Sequence, residues 1–546
     1  MQAPDMMLPH KDLVADWQTL MRVFIRPENE ATKAILLKYM EQILFGLHDF
    51  LRKHVGVTQA ISLEDLACRF TETIIRPTPE KKLEEVIADL IEEIAPWAVN
   101  VASPYFVGHM TSAIPFFMVH LKTIVAALNQ NVVKLETSKV VSVVEKQVLG
   151  KLHRLIYHRQ PDFYENHVQN TDTTLGAFVE DGTLANLTAL WVARNRALAP
   201  KAGFDGVEAQ GMQAAYRAYG IERAVVLISG MAHYSMYKSG GVLGIGNRNI
   251  IPIAVDENFR MRPEALAQAI RDLSAPEAKT KILAVVGIAG TTETGSVDPL
   301  ATIADICADH GIHFHVDAAW GGPVLMSERY RHLLGGIDRA DSVSIDGHKQ
   351  FYMPMSCGMV YFRDPRIMDA IEYHASYINR PGSVDLGIKS LCGSREATSL
   401  ILDSTFKIMG SRGLALLIEH GIDSARRFAD MIARHPDFEV VSSPELNILT
   451  YRYCPRSLQR ELAAADTRRR SKICARLNVL NRRLQRLQRE AGKSFVSRTT
   501  LYRDRPAGDE MVVLRAVIMN PMTTLEVLAE ILAEQEVIGR RLQADS

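Results

Sequence analysis

The first hundred residues carry apolar side chains at three- and four-residue steps: Ile35, Leu36, Met40, Ile43 and Leu44, then Leu83, Val86, Ile87, Leu90 and Ile91. This period lays one apolar stripe along a helix, and Pro77 and Pro79 interrupt the pattern between the two stretches. The spacing predicts a helical arm over residues 1–100, of the kind that packs on the body of a protein or on a second subunit. A polar and aromatic loop, 103–112, then leads into a long helical region ending near Leu152. His109 in that loop either faces a site or caps the helix that follows. The stretch 127–138 is unusually polar for a helix junction and reads as a site wall or an interface.

Beyond Gly176 the period changes. Short runs rich in β-branched residues, at 224–228, 250–254, 281–288, 312–316, 342–345 and 359–362, alternate with helical stretches such as 263–273 and 300–310. Buried strands alternating with helices predict a mostly parallel, doubly wound sheet covered on both faces. Further on, 511–521 reads as another strand. Ile473, Leu477, Leu480, Leu484 and Leu487 mark a helix whose other face holds Arg482, Arg483, Arg486 and Arg489. That basic face is expected to be solvated, and the run 467–471 before it to be an exposed loop. The layout is an α/β chain with a helical arm (1–100), a large domain (101–410) and a small α+β carboxyl-terminal domain (411–546).

Composition sets limits on partners. Lys and Arg number 63, as do Asp and Glu, so no net field favours nucleic acid or an anionic membrane, and a small-molecule partner is expected. Six cysteines are scattered without metal-ligand spacing or a compact framework, which argues against a metal site and fits a reducing compartment. The apolar run 114–128 is broken by His120 and Lys122 and is too short to span a bilayer. Residues 1–20 carry acids and no continuous apolar core, so a cytoplasmic protein is expected.

In an open α/β sheet, ligands gather beyond the carboxyl ends of the strands, and this sequence places its polar residues there. The run 342–345 is followed by Asp346, Gly347, His348 and Lys349. A lysine at that rim can be partly desolvated and suits Schiff-base formation, although any single lysine is more simply a surface charge. The run 312–316 ends at Asp317, followed by Ala318 and Ala319, which leave room for a flat ring. A lysine for an aldehyde and a carboxylate that keeps a pyridine nitrogen protonated are the pair that pyridoxal phosphate requires. Asp317 would also serve as a strand-ending turn residue. Gly182 and Thr183 precede a helix and offer a phosphate a tight turn, a hydroxyl and a backbone N–H, which is compatible with Thr183 acting as an N-cap. His233 could stack on a bound ring and exchange protons, or be a hydrogen-bonded turn residue. Arg515 sits in the middle of the apolar run 511–521, where a buried guanidinium needs either a substrate carboxylate or an internal salt bridge.

The order Gly182-Thr183-Leu184-Ala185-Asn186, Ala232-His233-Tyr234-Ser235, Gly290-Thr291-Thr292-Glu293-Thr294-Gly295, His315-Val316-Asp317-Ala318-Ala319 and Gly347-His348-Lys349 resembles the group II pyridoxal-phosphate-dependent amino acid decarboxylases. These include the glutamate, aromatic amino acid and cysteine sulfinate enzymes. The resemblance runs from about Phe106 to the carboxyl terminus. Within the group, 108–113, 127–131 and 492–498 look most like the bacterial pyridoxal-dependent aspartate 1-decarboxylases, which make β-alanine for pantothenate synthesis.

The resemblance implies the pyridoxal-phosphate-dependent transferase fold of the aspartate aminotransferase type (fold type I), and a homodimer with the active site at the subunit interface. It also implies roles. Lys349 would hold the cofactor aldehyde and Asp317 the ring nitrogen, with His233 stacked on one ring face and Ala319 packed on the other. Thr183 and His348 would hold the phosphate, with Gly182, Asn186 and Thr291 completing the cofactor site. His109 would face substrate. Arg515, which matches an RxxIxNP phrase of members with acidic substrates, would hold the distal carboxylate. There are two departures from the family pattern. Asp346 stands where relatives often have Asn, and its ionised form would repel a phosphate. The loop from about Asn379 to Leu391 lacks the tyrosine that glutamate decarboxylase-like members use as proton donor, and Tyr377 is the nearest candidate. His233, Tyr377 and Lys349 all remain candidates for returning the proton to Cα. The expected reaction is α-decarboxylation of L-aspartate, with L-glutamate as the alternative. Transamination, carbon–sulfur cleavage or a non-catalytic role would be further readings of the same fold.

Overall fold

The computed structural model describes residues 16–17, 30–53, 56–59, 61–374, 385–502 and 510–544. They fall in two compact units, one made of residues 1–106 with 486–495 and the other of 107–485 with 496–546. In the first unit the helical stretches anticipated from the sequence form α1 (Glu30–Lys53) and α2 (Leu83–Asp89). Its later segment is tied in through the backbone. Val57 and Thr58 donate to the Gly492 carbonyl at 2.8 and 3.1 Å, Phe495 donates to the Tyr105 carbonyl at 3.0 Å, and Phe106 stacks on Phe495 with ring centroids 5.3 Å apart.

The second unit begins with α3 (Phe117–Leu128) and α4 (Val140–Tyr157). The helical region predicted up to Leu152 is therefore interrupted. Asn129 caps α3 in the left-handed conformation, with φ 46°, a geometry that Asn tolerates better than most residues. After β1 (Gly176–Val179) comes α5 (Gly182–Ala197), followed by β2 (Arg223–Ser229), β3 (Ile250–Ile253), α6 (Pro263–Ser274), β4 (Thr280–Ile288), α7 (Leu300–His310), β5 (His313–Asp317), β6 (Ser342–Asp346) and β7 (Gly358–Phe362). The seven strands form one sheet in the order β1-β7-β6-β5-β4-β2-β3. Five of them, from β6 to β3, run parallel, and β7 is antiparallel to both of its neighbours.

The sheet is covered on both faces, as the nearly continuous β-branched runs require. Along β2, Val225 and Leu227 pack with residues of α4, α6 and α7, whereas Ala224, Val226 and Ile228 pack with residues of α5. Then come α8 (Thr398–Arg434), β8 (Phe438–Ser442), β9 (Ile448–Tyr453), α9 (Thr467–Ala491), β10 (Ser497–Tyr502), β11 (Glu510–Val517) and α10 (Leu525–Ala544). Helix α8 breaks at Gly410, whose φ of 65° would strain any residue with a β-carbon. The four later strands make an antiparallel sheet, β10-β11-β9-β8.

The run 467–471, expected as a loop, is exposed but helical. The Asp466 carboxylate accepts the Arg469 amide at 2.7 Å, an N-terminal cap that starts α9 on residues with good helix propensity. Among the described residues no helix is long and apolar enough to cross a membrane.

Candidate active site

Within the second unit, the carboxyl ends of β4, β5 and β6 and the amino end of α5 border a cavity of about 270 Å³. Asp317 closes β5 and is buried. Its Oδ1 accepts the Ala319 amide at 3.1 Å and the Ser344 hydroxyl at 3.2 Å, and its Oδ2 accepts the Asn186 amide at 2.9 Å. Ser344 is the register partner of Asp317 across β5 and β6, so the sheet itself delivers that donor. Three donors leave the carboxylate one orientation, facing the cavity.

Lys349 lies just past the end of β6, with its Nζ 3.0 Å from Asp346 Oδ2. The turn that presents it is tight. Gly347 donates to the Cys357 carbonyl at 2.8 Å, and a β-carbon at 347 would sit 2.6 Å from the Cys357 sulfur. Tyr352 follows at φ 57°, held by its hydroxyl donating to the Met519 carbonyl at 2.7 Å. His348 lies with its Nδ1 3.1 Å from the Cys357 amide and its Nε2 3.7 Å from Asp346 Oδ2.

At the start of α5, Asp181 caps the helix by accepting the Leu184 amide at 3.0 Å, and Gly182 and Thr183 line the cavity. A β-carbon at Gly182 would come within 2.8 Å of Asp346 Oδ2 and 3.2 Å of the Ala319 β-carbon, so only glycine fits this approach. Asp346 is almost fully buried and its Oδ1 has no hydrogen-bond partner. Burial pushes its carboxyl above the usual range, against the pull of Lys349 and His348.

His233, half-buried, lines the same cavity and accepts the Ser235 amide on Nδ1 at 3.3 Å. Burial pulls its imidazole below the ordinary value, with Asp317 opposing. His109 is solvent-exposed on its outer side, yet its ring is lowered by burial against the wall and then by Arg515, Lys349 and His348.

Arg515, on β11, reaches the opposite wall and is 7% exposed. Its Nε donates to the Thr292 carbonyl at 2.6 Å, and its Nη1 to the Gly108 carbonyl and the Ser497 hydroxyl, both at 3.2 Å. Burial lowers the guanidinium to about 10, opposed by Glu293. Among the described residues none of its hydrogen bonds goes to a carboxylate, so the internal salt bridge considered above is not what satisfies it.

One anticipated residue, Thr291, stands off the cavity. The Thr291 hydroxyl lies 2.7 Å from that of Thr294 and accepts the Ser296 amide at 3.2 Å, which keeps it inside the 290–295 turn while Gly290 and Thr292 face the cavity. Asn186 lines the cavity beside Asp317, with both amide hydrogens committed to Asp317 and Ser235. Tyr377 lies outside the described residues. Sequence reasoning missed Ser344 and His315. Their signal was the period-2 spacing of His313, His315 and Asp317 and of Ser342, Ser344 and Asp346, which places each set on one strand face.

A primary amine, a carboxylate fixed by three donors and a close glycine approach at a helix amino terminus fit pyridoxal phosphate, with Asp346 the residue whose charge opposes its phosphate. Comparison with known proteins agrees. The pyridoxal-dependent decarboxylase conserved domain matches residues 71–454. The chain belongs to this family. It is a carboxy-lyase that decarboxylates amino acids with pyridoxal phosphate, on the fold type I architecture. The decarboxylase is 44% identical over 535 residues to the aspartate 1-decarboxylase of Aliivibrio fischeri, covering 98% of this chain and 96% of that one. It is 28% identical over 473 residues to the human acidic amino acid decarboxylase GADL1, covering 85% and 82%. The apo crystal structure of mouse CSAD superposes with a TM-score of 0.78 at 24% identity, over 93% of this chain and 99% of that one.

Proposed function

We propose that this decarboxylase converts L-aspartate to β-alanine and carbon dioxide. The observation that carries the reading is Arg515, a buried guanidinium on the cavity wall whose hydrogen bonds go only to neutral acceptors among the described residues. The identity to an aspartate 1-decarboxylase along nearly the whole chain supports it.

When bound, pyridoxal phosphate supplies an electron sink for the pair left by the departing carboxylate. Lys349 would hold the aldehyde through its amine. Asp317, fixed by its three donors, would hold the ring nitrogen, with His233 and Ala319 lining the space for the ring. Gly182, Thr183 and His348 would hold the phosphate beside the amino terminus of α5, and Asn186 would act through Asp317. Arg515 grips the substrate side-chain carboxylate with its planar fork, and His109 shapes the mouth. His233, held neutral by burial, and Lys349 both face the cavity and are the candidates to return the proton to Cα, with Tyr377 as a third.

A homodimer is supported by apolar side chains left in solvent, among them Phe116, Ile124 and Val140 of the second unit. Six free cysteines accord with a cytoplasmic enzyme supplying β-alanine to pantothenate synthesis. Product analysis of the loaded enzyme given aspartate, glutamate, cysteine sulfinate and diaminobutyrate in parallel tests the proposal. β-Alanine as the dominant product supports it. γ-Aminobutyrate moves the substrate to glutamate, and no carbon dioxide from any acidic substrate overturns the reading of Arg515.

A further inference from the structure

Asp317 is one end of a chain of hydrogen bonds that crosses the large sheet. Asn186 donates from Nδ2 to Asp317 Oδ2 at 2.9 Å, and its Oδ1 lies 3.0 Å from His315 Nε2. His315 Nδ1 lies 2.9 Å from the Ser342 hydroxyl, which lies 2.8 Å from His313 Nε2. Strand geometry assembles these groups. His313, His315 and Asp317 alternate onto one face of β5, and Ser342 is the register partner of His315 on β6.

The direction of every bond follows from the carboxylate end. A carboxylate only accepts, so Asn186 must present its N–H₂ to Asp317 and its carbonyl to His315. His315 Nε2 must then carry hydrogen. Burial holds this imidazole neutral, down to about 4, so its Nδ1 accepts from Ser342. The Ser342 oxygen in turn accepts from His313 Nε2. Four donors in sequence therefore point at Asp317. The far end is half-buried His313, which lines a second cavity of about 480 Å³ at the amino ends of β4 and β5, with Arg196, Lys281 and Asp341.

We propose that His313, Ser342 and His315 form a one-way polarised relay that stabilises negative charge on Asp317, making Ser342 and His313 remote positioning residues for the cofactor ring nitrogen. The inference rests on the assignment of Asp317 to that nitrogen. Removing a link leaves Asp317 in place but withdraws the polarisation behind it, so the ring nitrogen gives up its proton more readily.

The test uses holoenzyme loaded with cofactor labelled with ¹⁵N in the ring, read by NMR, together with steady-state kinetics. Ser342→Ala is expected to move the ring nitrogen resonance towards that of a neutral pyridine and to lower kcat on the order of tenfold, with KM nearly unchanged. Ser342→Thr, which keeps the hydroxyl, is expected to restore both. If Ser342→Ala does not fold, His313→Phe at the half-buried rim interrogates the same relay. A resonance unmoved in these variants overturns the relay, provided that Asp317→Asn does move it. If Asp317→Asn also leaves it unmoved, the assignment of Asp317 fails and the relay falls with it.

Discussion

Arg515→Lys separates a grip on the substrate side chain from a merely structural arginine. In the protein, Arg515 donates to Thr292, Gly108 and Ser497 and is 7% exposed, so a carboxylate brought to its open edge would be bound out of water. A hydrogen bond to a charged group contributes about 1.5–3 kcal/mol, and a bidentate pair about 3–6. Lysine keeps the charge but loses the fork and one of the two bonds, so kcat/KM for aspartate should fall on the order of 10- to 100-fold. Lysine is preferable to methionine here. An apolar residue would leave the buried Thr292 and Gly108 carbonyls unpartnered and destabilise the fold as well. The assay is carbon dioxide release at limiting aspartate, run beside 2,4-diaminobutyrate, which lacks the second carboxylate, with thermal unfolding as control. Aspartate turnover within about threefold of wild type would refute the argument, because a desolvated charged hydrogen bond cannot be lost so cheaply. An equal loss on diaminobutyrate would show that Arg515 grips the α-carboxylate instead.

Asp346→Asn removes a buried acid from beside the amino terminus of α5, and cofactor release followed by absorbance after dilution should slow roughly fivefold, about 1 kcal/mol of relieved repulsion; faster release would contradict the phosphate site drawn here. Because burial lowers His233, the acid limb of its kcat/KM profile should inflect below 6.5, the imidazole being neutral above that point. His233→Gln should lose this limb, and an inflection above 6.5 would exclude His233 as its source. His153 is fully buried between the Tyr164 hydroxyl and the Phe362 carbonyl, and burial pulls it down to about 4. A folded-state value below the unfolded 6.5 means that the stability it confers is full above pH 6.5 and lost as pH falls towards 4, about 3 kcal/mol in all. Urea unfolding at pH 7 and at pH 4.5 should show that drop, and His153→Gln should reduce it.

The parallel sheet was legible because strands buried on both faces leave unbroken apolar runs, and Lys349 and Asp317 were legible because they punctuate two of those runs. What escaped depends on neighbours far along the chain. How Asn186 serves the site shows only when α5 is laid on β5, which commits both of its N–H groups to Asp317 and Ser235. Thr291 reads like Thr292 until the turn chooses which of the two lines the cavity. The arginines at 468–470 look like a solvated loop until Asp466 is recognised as a cap.

The first unit borrows residues 486–495, with Gly492 and Phe495 supplying backbone partners to Val57, Thr58 and Tyr105. During synthesis these partners leave the ribosome roughly 390 residues after Phe106, some tens of seconds later at ordinary elongation rates. The first unit therefore completes these hydrogen bonds only after most of the second unit has been translated. Until then the backbone groups of Val57, Thr58 and Tyr105 are left to water in place of Gly492 and Phe495.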